Sequence, residues 1–115
     1  MKHIKKRIRV TNVLSPSQVI LNIGSRDGVS ENDEFIIYGL SEDEIIDPDT
    51  GKSLGHFEHY RGVGIVEQVQ GTMCILNALP ANRFGPFKLV ANSISGIFNN
   101  PQIGDYAKPN ATKIR

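Results

Sequence analysis

The sequence predicts an all-β protein that folds as a small antiparallel β-barrel of about six or seven strands, with a hairpin protruding near residues 41–55. Three observations support this fold class. Short apolar runs alternate with clusters of Gly, Asn, Asp and Ser, as in antiparallel strands joined by turns. Eleven glycines and no tryptophan are typical of a turn-rich β protein. No amphipathic helix longer than about three turns is visible.

Residues 1–115 are expected to form one barrel domain, with frayed ends at 1–4 and 108–115. This length can bury a core without staples, and the single Cys74 excludes an internal disulfide. No stretch approaches the roughly 18 apolar residues that span a bilayer, and no secretory signal follows the basic N-terminus. We therefore expect a cytoplasmic protein by default, or an envelope protein if the chain is a piece of a longer one.

The formal net charge of +1 favours no class of partner, but the charge is unevenly distributed. Residues 1–9 carry five Lys or Arg and no acid, whereas residues 27–49 carry nine acids and no Lys or Arg. Solvated faces are the ordinary explanation of such runs. The opposite charges would also allow head-to-tail self-association, which closes into a ring or continues as a fibre.

The first strand is predicted within residues 4–14, where Ile8 and Val10 fall on one face and the arginines beside them on the other. Residues 15–17, Ser-Pro-Ser, form a turn, since proline cannot donate to a strand ladder. The second strand is predicted at Val19–Ile23, again with alternating apolar residues.

A polar segment, residues 24–33, leads to a third strand predicted at 34–40. Its ten residues are too many for a tight hairpin, so we expect a structured loop with Val29 packed against the sheet. Gly24 and Gly28 are expected to supply positive φ. The third strand is apolar on both faces, which predicts a central position.

The acidic segment 41–55 follows. Its sequence Asp47-Pro48-Asp49-Thr50-Gly51 has proline where a turn needs φ near −65° and glycine at its end, and this predicts a turn. A hairpin with arms near 44–47 and 52–57 results. Residues 54–70 are then predicted to form one long strand, or two strands, with bends at Gly62 and Gly64. Further strands are predicted at 72–79 and 103–107.

One ordered set of residues carries a resemblance to a known module. These residues are Leu21 to Gly24, Asp27 to Val29, Asp33 with Phe35, Ile46 to Pro48, Thr50-Gly51, Leu54-Gly55 and Gly104-Asp105. Their order resembles the small β-barrel module at the C-terminus of the bacterial flagellar assembly protein T, over roughly residues 10–79 and 103–107. The resemblance implies an SH3-like or OB-like barrel used for assembly contacts. It includes no catalytic motif.

The leading hypothesis is a non-enzymatic interaction module that binds a protein partner or itself through loops 24–33 and 41–55. Loops on a rigid barrel commonly carry binding, and no catalytic constellation, cofactor motif, small-molecule site or membrane-inserting segment is visible. The residues predicted to face the partner are Asp27, Val29, Glu31, Asp33, Glu44, Asp47 and Asp49.

The alternative hypothesis is a barrel that binds single-stranded nucleic acid. Such barrels combine a basic groove with aromatic side chains that stack on bases. The acidic stretch 27–49 would oppose this binding if it lined the same face. The residues predicted for this site are Lys5, Lys6, Arg7, Arg9, Tyr38, Tyr60 and Arg61.

No metal site or nucleophile is predicted. Asp47, Asp49 and Gly51 resemble the opening of a calcium loop, but the residues that follow break the pattern. His56 and His59 point to opposite faces if they lie on a strand, and zinc needs three or four ligands. Cys74 lies in an apolar strand, where a thiol is usually an inert small hydrophobe.

Overall fold

The structure, a computed structural model, describes residue 4, residues 6–80 and residues 96–110. Within this part of the chain there is no α-helix, and the only helical element is a 3-10 turn. The predicted all-β fold class is confirmed. The elements are β1 (Val10–Ser15), β2 (Gln18–Leu21), the 3-10 turn (Ser25–Asp27), β3 (Glu34–Leu40), β4 (Ile45–Ile46), β5 (Ser53–Gly55), β6 (Glu58–Val69), β7 (Cys74–Ala78) and β8 (Tyr106–Pro109).

Six strands form one antiparallel sheet in the order β1-β2-β7-β6-β3-β8, curled into a half-barrel. The residues just before and at the start of β1 hydrogen-bond to both ends of this sheet. Val10 pairs with Leu21 of β2 and donates its amide to the Asp105 carbonyl at 2.8 Å, while Ala107 donates to Ile8 at 3.0 Å. The curled sheet therefore has the character of the predicted small β-barrel.

The core lies inside the curl, because alternate side chains along each strand point inward. Ile8 and Val10 are both buried, as their alternation predicted. Phe98, only 2% exposed, fills the space beside Gly62 of β6. The buried apolar residues are Ile8, Val10, Val19, Leu21, Ile23, Val29, Phe35, Ile37, Val66, Cys74, Leu76, Ala78, Phe98 and Ala107.

Loop 24–33 is fixed to the sheet by backbone hydrogen bonds, including that from the Ser25 amide to the Gln70 carbonyl at 2.8 Å. Val29 is packed into the core as predicted. Gly28 has the expected positive φ of 90°. The same expectation for Gly24 is wrong, since its φ is −149°. Gly24 is required instead by close packing, because a Cβ there would overlap the Gln70 carbonyl oxygen.

Strand β6 bends at a bulge beside Gly62, as predicted. Ile37 of β3 pairs with Gly62 and Tyr38 pairs with Tyr60, so Arg61 is the extra residue between them. A second irregularity occurs between Val66 and Gln68 rather than at Gly64, the other predicted bend. The first bulge changes the direction of Arg61, which is drawn toward the interior.

Residues 41–57, here called the arm, leave the end of β3 and return to the start of β6. The amide of Ser41 donates to the Phe57 carbonyl at 2.9 Å, and the Phe57 amide donates to Ser41 Oγ at 2.9 Å. Gly51 donates to the Asp47 carbonyl at 2.7 Å in the predicted turn. Between base and tip, Ile45 pairs with Gly55, so the arm is the protruding hairpin that the sequence predicted near 41–55.

The C-terminal end of the barrel extends further than predicted. Lys108 and Pro109 complete β8, and the Asn110 amide donates to the Glu34 carbonyl at 3.0 Å, where the sequence indicated a frayed end. Residues 1–3 and 111–115, also expected to fray, lie outside the described residues. Within the described residues no helix has the length and apolar character needed to cross a membrane.

Candidate functional site

The side chains predicted to bind through loop 24–33 mostly hold the loop itself together. Asp27 accepts a hydrogen bond from the Gly24 amide at 3.0 Å, and Asp33 accepts one from the Ser30 amide at 2.9 Å. Val29 is 4% exposed. Glu31 is the one exposed member of the predicted set in this loop. Most of the side chains predicted to bind are therefore used within the loop, and few are left to contact a partner.

The acidic side chains of the arm are likewise of two kinds, one that bonds within the arm and two that are exposed. Asp47 shapes the tip, since its Oδ1 accepts the Asp49 amide at 2.9 Å. Glu44 and Asp49 are exposed. The sequence predicts that these carboxylates face a partner. The arm also exposes large apolar side chains. The exposed fractions are 43% for Ile45, 52% for Ile46, 68% for Leu54 and 58% for Phe57.

Both faces of the arm are open to solvent. Ile45 and Ile46 are consecutive in β4, so their side chains point to opposite faces, and both are exposed. A two-stranded hairpin alone is marginally stable in water. The arm thus combines apolar side chains with a rim of carboxylates and lacks a covering layer among the described residues.

A second surface is formed by one row of paired residues across the sheet. Arg9 pairs with Tyr106, Tyr106 pairs with Tyr38, and Tyr38 pairs with Tyr60. Direct cross-strand partners place their side chains on the same face. All three tyrosines of the chain therefore lie on one face of the sheet, together with Arg9.

Arg7, Arg9, Tyr106, Tyr38 and Lys108 form what we call the cation–tyrosine row. The rings of Tyr38 and Tyr106 stack with centroids 5.7 Å apart and an interplanar angle of 22°. The Arg9 guanidinium carbon lies 4.2 Å from the Tyr106 centroid, and Arg7 lies 6.0 Å from it. Lys108 Nζ lies 4.8 Å from the Tyr38 centroid. Contacts of this kind fix the rings and concentrate positive charge.

Arg9 is the anchored member of this row. Its Nε and Nη2 donate to the Gly104 carbonyl at 3.0 and 2.7 Å, and its backbone amide donates to Asn22 Oδ1 at 2.8 Å. These bonds hold the guanidinium against Tyr106 in a defined orientation. Arg7 and Lys108 are more exposed, and Lys108 forms an ion pair with Glu58 at 3.1 Å.

The structure brings together only part of the predicted nucleic-acid set. Arg7, Arg9 and Tyr38 meet in the row, and Tyr60 shares their face with 62% of its surface exposed. Lys6 is exposed in the segment before β1, and Lys5 lies outside the described residues. Sequence reasoning missed Tyr106 and Lys108. Their spacing of two residues around the buried Ala107 was the available signal, since alternate strand residues share a face.

Arg61 does not belong to this surface. Its Nε and Nη2 approach the Asp105 carboxylate at 3.1 and 3.3 Å. Asp105 is 5% exposed and Arg61 16%, and Asp105 also accepts the Gln102 amide at 2.8 Å. This mostly buried ion pair joins β6 to the turn before β8.

The residues considered for metal binding or catalysis are separated. Among the described residues no cluster of three or more His, Cys, Asp or Glu could hold a metal ion. His56 Nδ1 lies 2.8 Å from the Ser41 carbonyl, and His59 packs edge-on against Phe57 at 5.1 Å. Burial raises the pKa of the Cys74 thiol to about 12, and the charge of Asp33 adds to the rise. A thiol with that pKa stays protonated at neutral pH.

An open cleft of about 640 Å³ separates the base of the arm from the cation–tyrosine row. Ser41, Glu42 and His56 line it on the arm side, and Arg9 and Tyr106 line it on the other. The base of the arm therefore lies next to Arg9 and Tyr106 of the row.

A scan against protein-family models gave no match, and a search of curated proteins gave none either.

Proposed function

We propose that this protein is a non-enzymatic interaction module that docks onto another polypeptide through its arm. The observation that carries the proposal is the exposure of four large apolar side chains on a hairpin that no other described segment covers. Ile46 and Leu54 are more than half exposed. Such side chains become stabilising when a partner removes them from water, at roughly 25 cal/mol per Å² of apolar area.

The proposal rests on the arm rather than on loop 24–33, the other predicted binding segment. Asp27 and Asp33 hydrogen-bond within their own loop, so breaking those bonds to bind a partner would cost loop structure. Hydrogen bonds to Ser41 at its base and Asp47 at its tip hold the arm in shape. A partner can therefore cover the exposed apolar side chains without breaking these bonds. A pre-shaped hairpin loses less conformational entropy on binding than a flexible loop. An assembly role is also what the resemblance to the flagellar assembly module implies.

Site-specific photo-crosslinking in the cells that make the protein tests this function. Leu54 is replaced by the photoreactive residue p-benzoylphenylalanine, and Leu14 is replaced in a matched control, because Leu14 is also an exposed leucine, at 49%. We expect discrete adducts with a polypeptide, either another protein or a second copy, from position 54 and not from position 14. Adducts absent at both positions, or equal at both, would contradict the proposal.

Single-stranded nucleic acid is the second candidate, supported by the alignment of Arg7 and Arg9 with tyrosines on one face. One feature of the row opposes it. Tyr106 already has Arg9 and Tyr38 against it, and Tyr38 has Lys108. Bases that stack on aromatic rings need free ring faces, and of the three tyrosines on this face Tyr60 alone has a ring without such a contact.

Fluorescence anisotropy with mixed single-stranded DNA and RNA at two salt concentrations separates the candidates. Phosphate-driven binding is strongest at low salt. We expect flat titrations at low salt. Saturable binding that weakens with salt and is lost in Arg7→Glu would favour the nucleic-acid function.

A further inference from the structure

We infer that the partner of the arm is a second copy of this chain, and that the acceptor on that copy is the cation–tyrosine row. The inference rests on the proposed function, because it names the occupant of the same docking surface. It is carried by the chemistry that the row offers, by the charge of the arm and by the position of the two surfaces relative to one another.

The row offers positive charge and the rims of its rings, rather than free ring faces. Arg9 and Tyr38 pack against Tyr106, and Arg7 lies beyond them with an exposed side chain. Side-chain guanidinium and ammonium groups in this position bind carboxylates through charge-assisted hydrogen bonds. Apolar side chains pack well on ring rims. An acidic polypeptide with apolar side chains meets both requirements.

The arm has that composition. It carries five carboxylates and one lysine, with the apolar side chains of Ile46 and Leu54 exposed beside them. Near the row, Glu58 pairs with Lys108 at 3.1 Å, and both side chains are about half exposed. Exposed pairs of this kind contribute little stability, so Lys108 can exchange Glu58 for a carboxylate of an incoming arm.

The position of the surfaces favours a closed dimer. The arm begins three residues after Tyr38 of the row, and one cleft lies between Ser41 on the arm side and Arg9 on the row side. Donor and acceptor surfaces that adjoin on one molecule can belong to one patch, and a two-fold interface pairs one such patch with its copy. Each copy can therefore place its arm on the row of the other at once. The contact then stops at two copies, whereas the head-to-tail contact considered from sequence continues into a ring or fibre.

Charge reversal of exposed residues tests the dimer in purified protein by analytical ultracentrifugation at low salt. Glu44→Lys changes the arm and Arg7→Glu changes the row. Each variant alone places like charges together in both contacts, and we expect the dimer dissociation constant to rise at least about tenfold. An equimolar mixture of the two variants should recover dimer, because both contacts then join opposite charges. The chain with both substitutions should also dimerise.

Matched controls carry the same charge changes elsewhere. Glu31→Lys and Arg26→Glu alter exposed residues of loop 24–33, and we expect their dissociation constants to stay within about twofold of the unchanged chain. Circular dichroism confirms that every variant is folded. The unchanged dimer should weaken as salt rises, since salt screens exposed charges.

Several results would overturn the inference. These are a strict monomer at high protein concentration and low salt, assembly beyond two copies, or a dimer that responds equally to the arm, row and control substitutions. A monomer that binds a single-stranded oligonucleotide through Arg7 would assign the row to nucleic acid instead. If the chain is monomeric while position 54 crosslinks to a different protein in the cell, the inference fails and the proposed function stands. If position 54 forms no specific adduct, the proposed function fails.

Discussion

Replacing Asp105 by alanine should destabilise the fold more than any other single change of a charged residue named here. The substitution removes the acceptor of two Arg61 hydrogen bonds and of the Gln102 amide. Asp105 is 5% exposed and Arg61 16%, so water cannot fully replace the lost carboxylate. The guanidinium then lacks a counter-ion in a protected position between β6 and the turn before β8.

The size of the effect follows from burial. Removing one partner of a buried ion pair costs about 3–5 kcal/mol, and the partial exposure of Arg61 favours the lower end, about 3 kcal/mol. Domains of this kind are stable by about 5–15 kcal/mol, so the loss is a large fraction of the total. With a urea m-value of about 1.5 kcal/mol per molar, the unfolding midpoint should fall by about 2 M.

Urea unfolding followed by far-UV circular dichroism measures this midpoint. The matched control is Glu58→Ala, which breaks an ion pair of the same 3.1 Å length whose side chains are 46% and 51% exposed. An exposed pair contributes about 0–1 kcal/mol. Asp105→Asn keeps an acceptor for the Gln102 amide and should lie between the two. Equal midpoint shifts for Asp105→Ala and Glu58→Ala would show that burial does not set the cost of losing the carboxylate.

Three further changes test the core and the close contacts. The Cys74 thiol has a pKa of about 12 in the folded chain and 9.0 when unperturbed. Its contribution to the free energy of unfolding is therefore fully present below pH 9.0 and is lost as pH rises toward 12. Urea unfolding should show the unchanged chain losing about 1.4 kcal/mol per pH unit above pH 9 relative to Cys74→Ala, and parallel pH profiles would contradict this. Phe98→Ala should cost about 3–5 kcal/mol in urea unfolding, because the ring is 2% exposed in the core; a loss below about 1 kcal/mol would mean that the core collapses around the site. Gly24→Ala should lower the melting temperature and cost about 3 kcal/mol, because the added Cβ overlaps the Gln70 carbonyl. Gly71→Ala is the control and should change the melting temperature little, since its Cβ would have an ordinary 3.5 Å contact with Arg26. Similar melting temperatures for the two variants would contradict the role of close packing at Gly24.

Local patterns in the sequence were enough to predict the strands and the arm. The alternation of Ile8 and Val10 correctly predicted which side chains are buried, because strand periodicity depends only on neighbouring residues. The turn around Asp47 and Gly51 was also predictable, since its geometry depends on proline, aspartate and glycine at fixed spacing. The carboxylates of Asp27 and Asp33 were interpreted as recognition groups, although each caps an amide three residues earlier in its own loop.

The cation–tyrosine row could not be assembled from the sequence. Tyr38 and Tyr106 pair across strands that are far apart in the chain, and local patterns do not specify which distant strands pair or in what register. Arg61 shows a related difficulty. The sequence grouped it with the basic and aromatic residues because it lies next to Tyr60, but Arg61 is the extra residue of the bulge beside Gly62 and its side chain pairs with Asp105. The exposure of the apolar side chains of the arm was not predictable either, because it depends on what the rest of the chain covers.

Covering of the arm by another polypeptide can be measured directly with a cysteine at position 54. The native Cys74 is buried and its pKa is raised to about 12, so it reacts slowly and leaves the new thiol as the main target. The alkylation rate of Leu54→Cys by a maleimide is compared between producing cells and dilute purified protein, with Leu14→Cys as the reference in both settings. We expect the reference-corrected rate at position 54 to be several-fold lower in cells. Equal corrected rates in the two settings would contradict it.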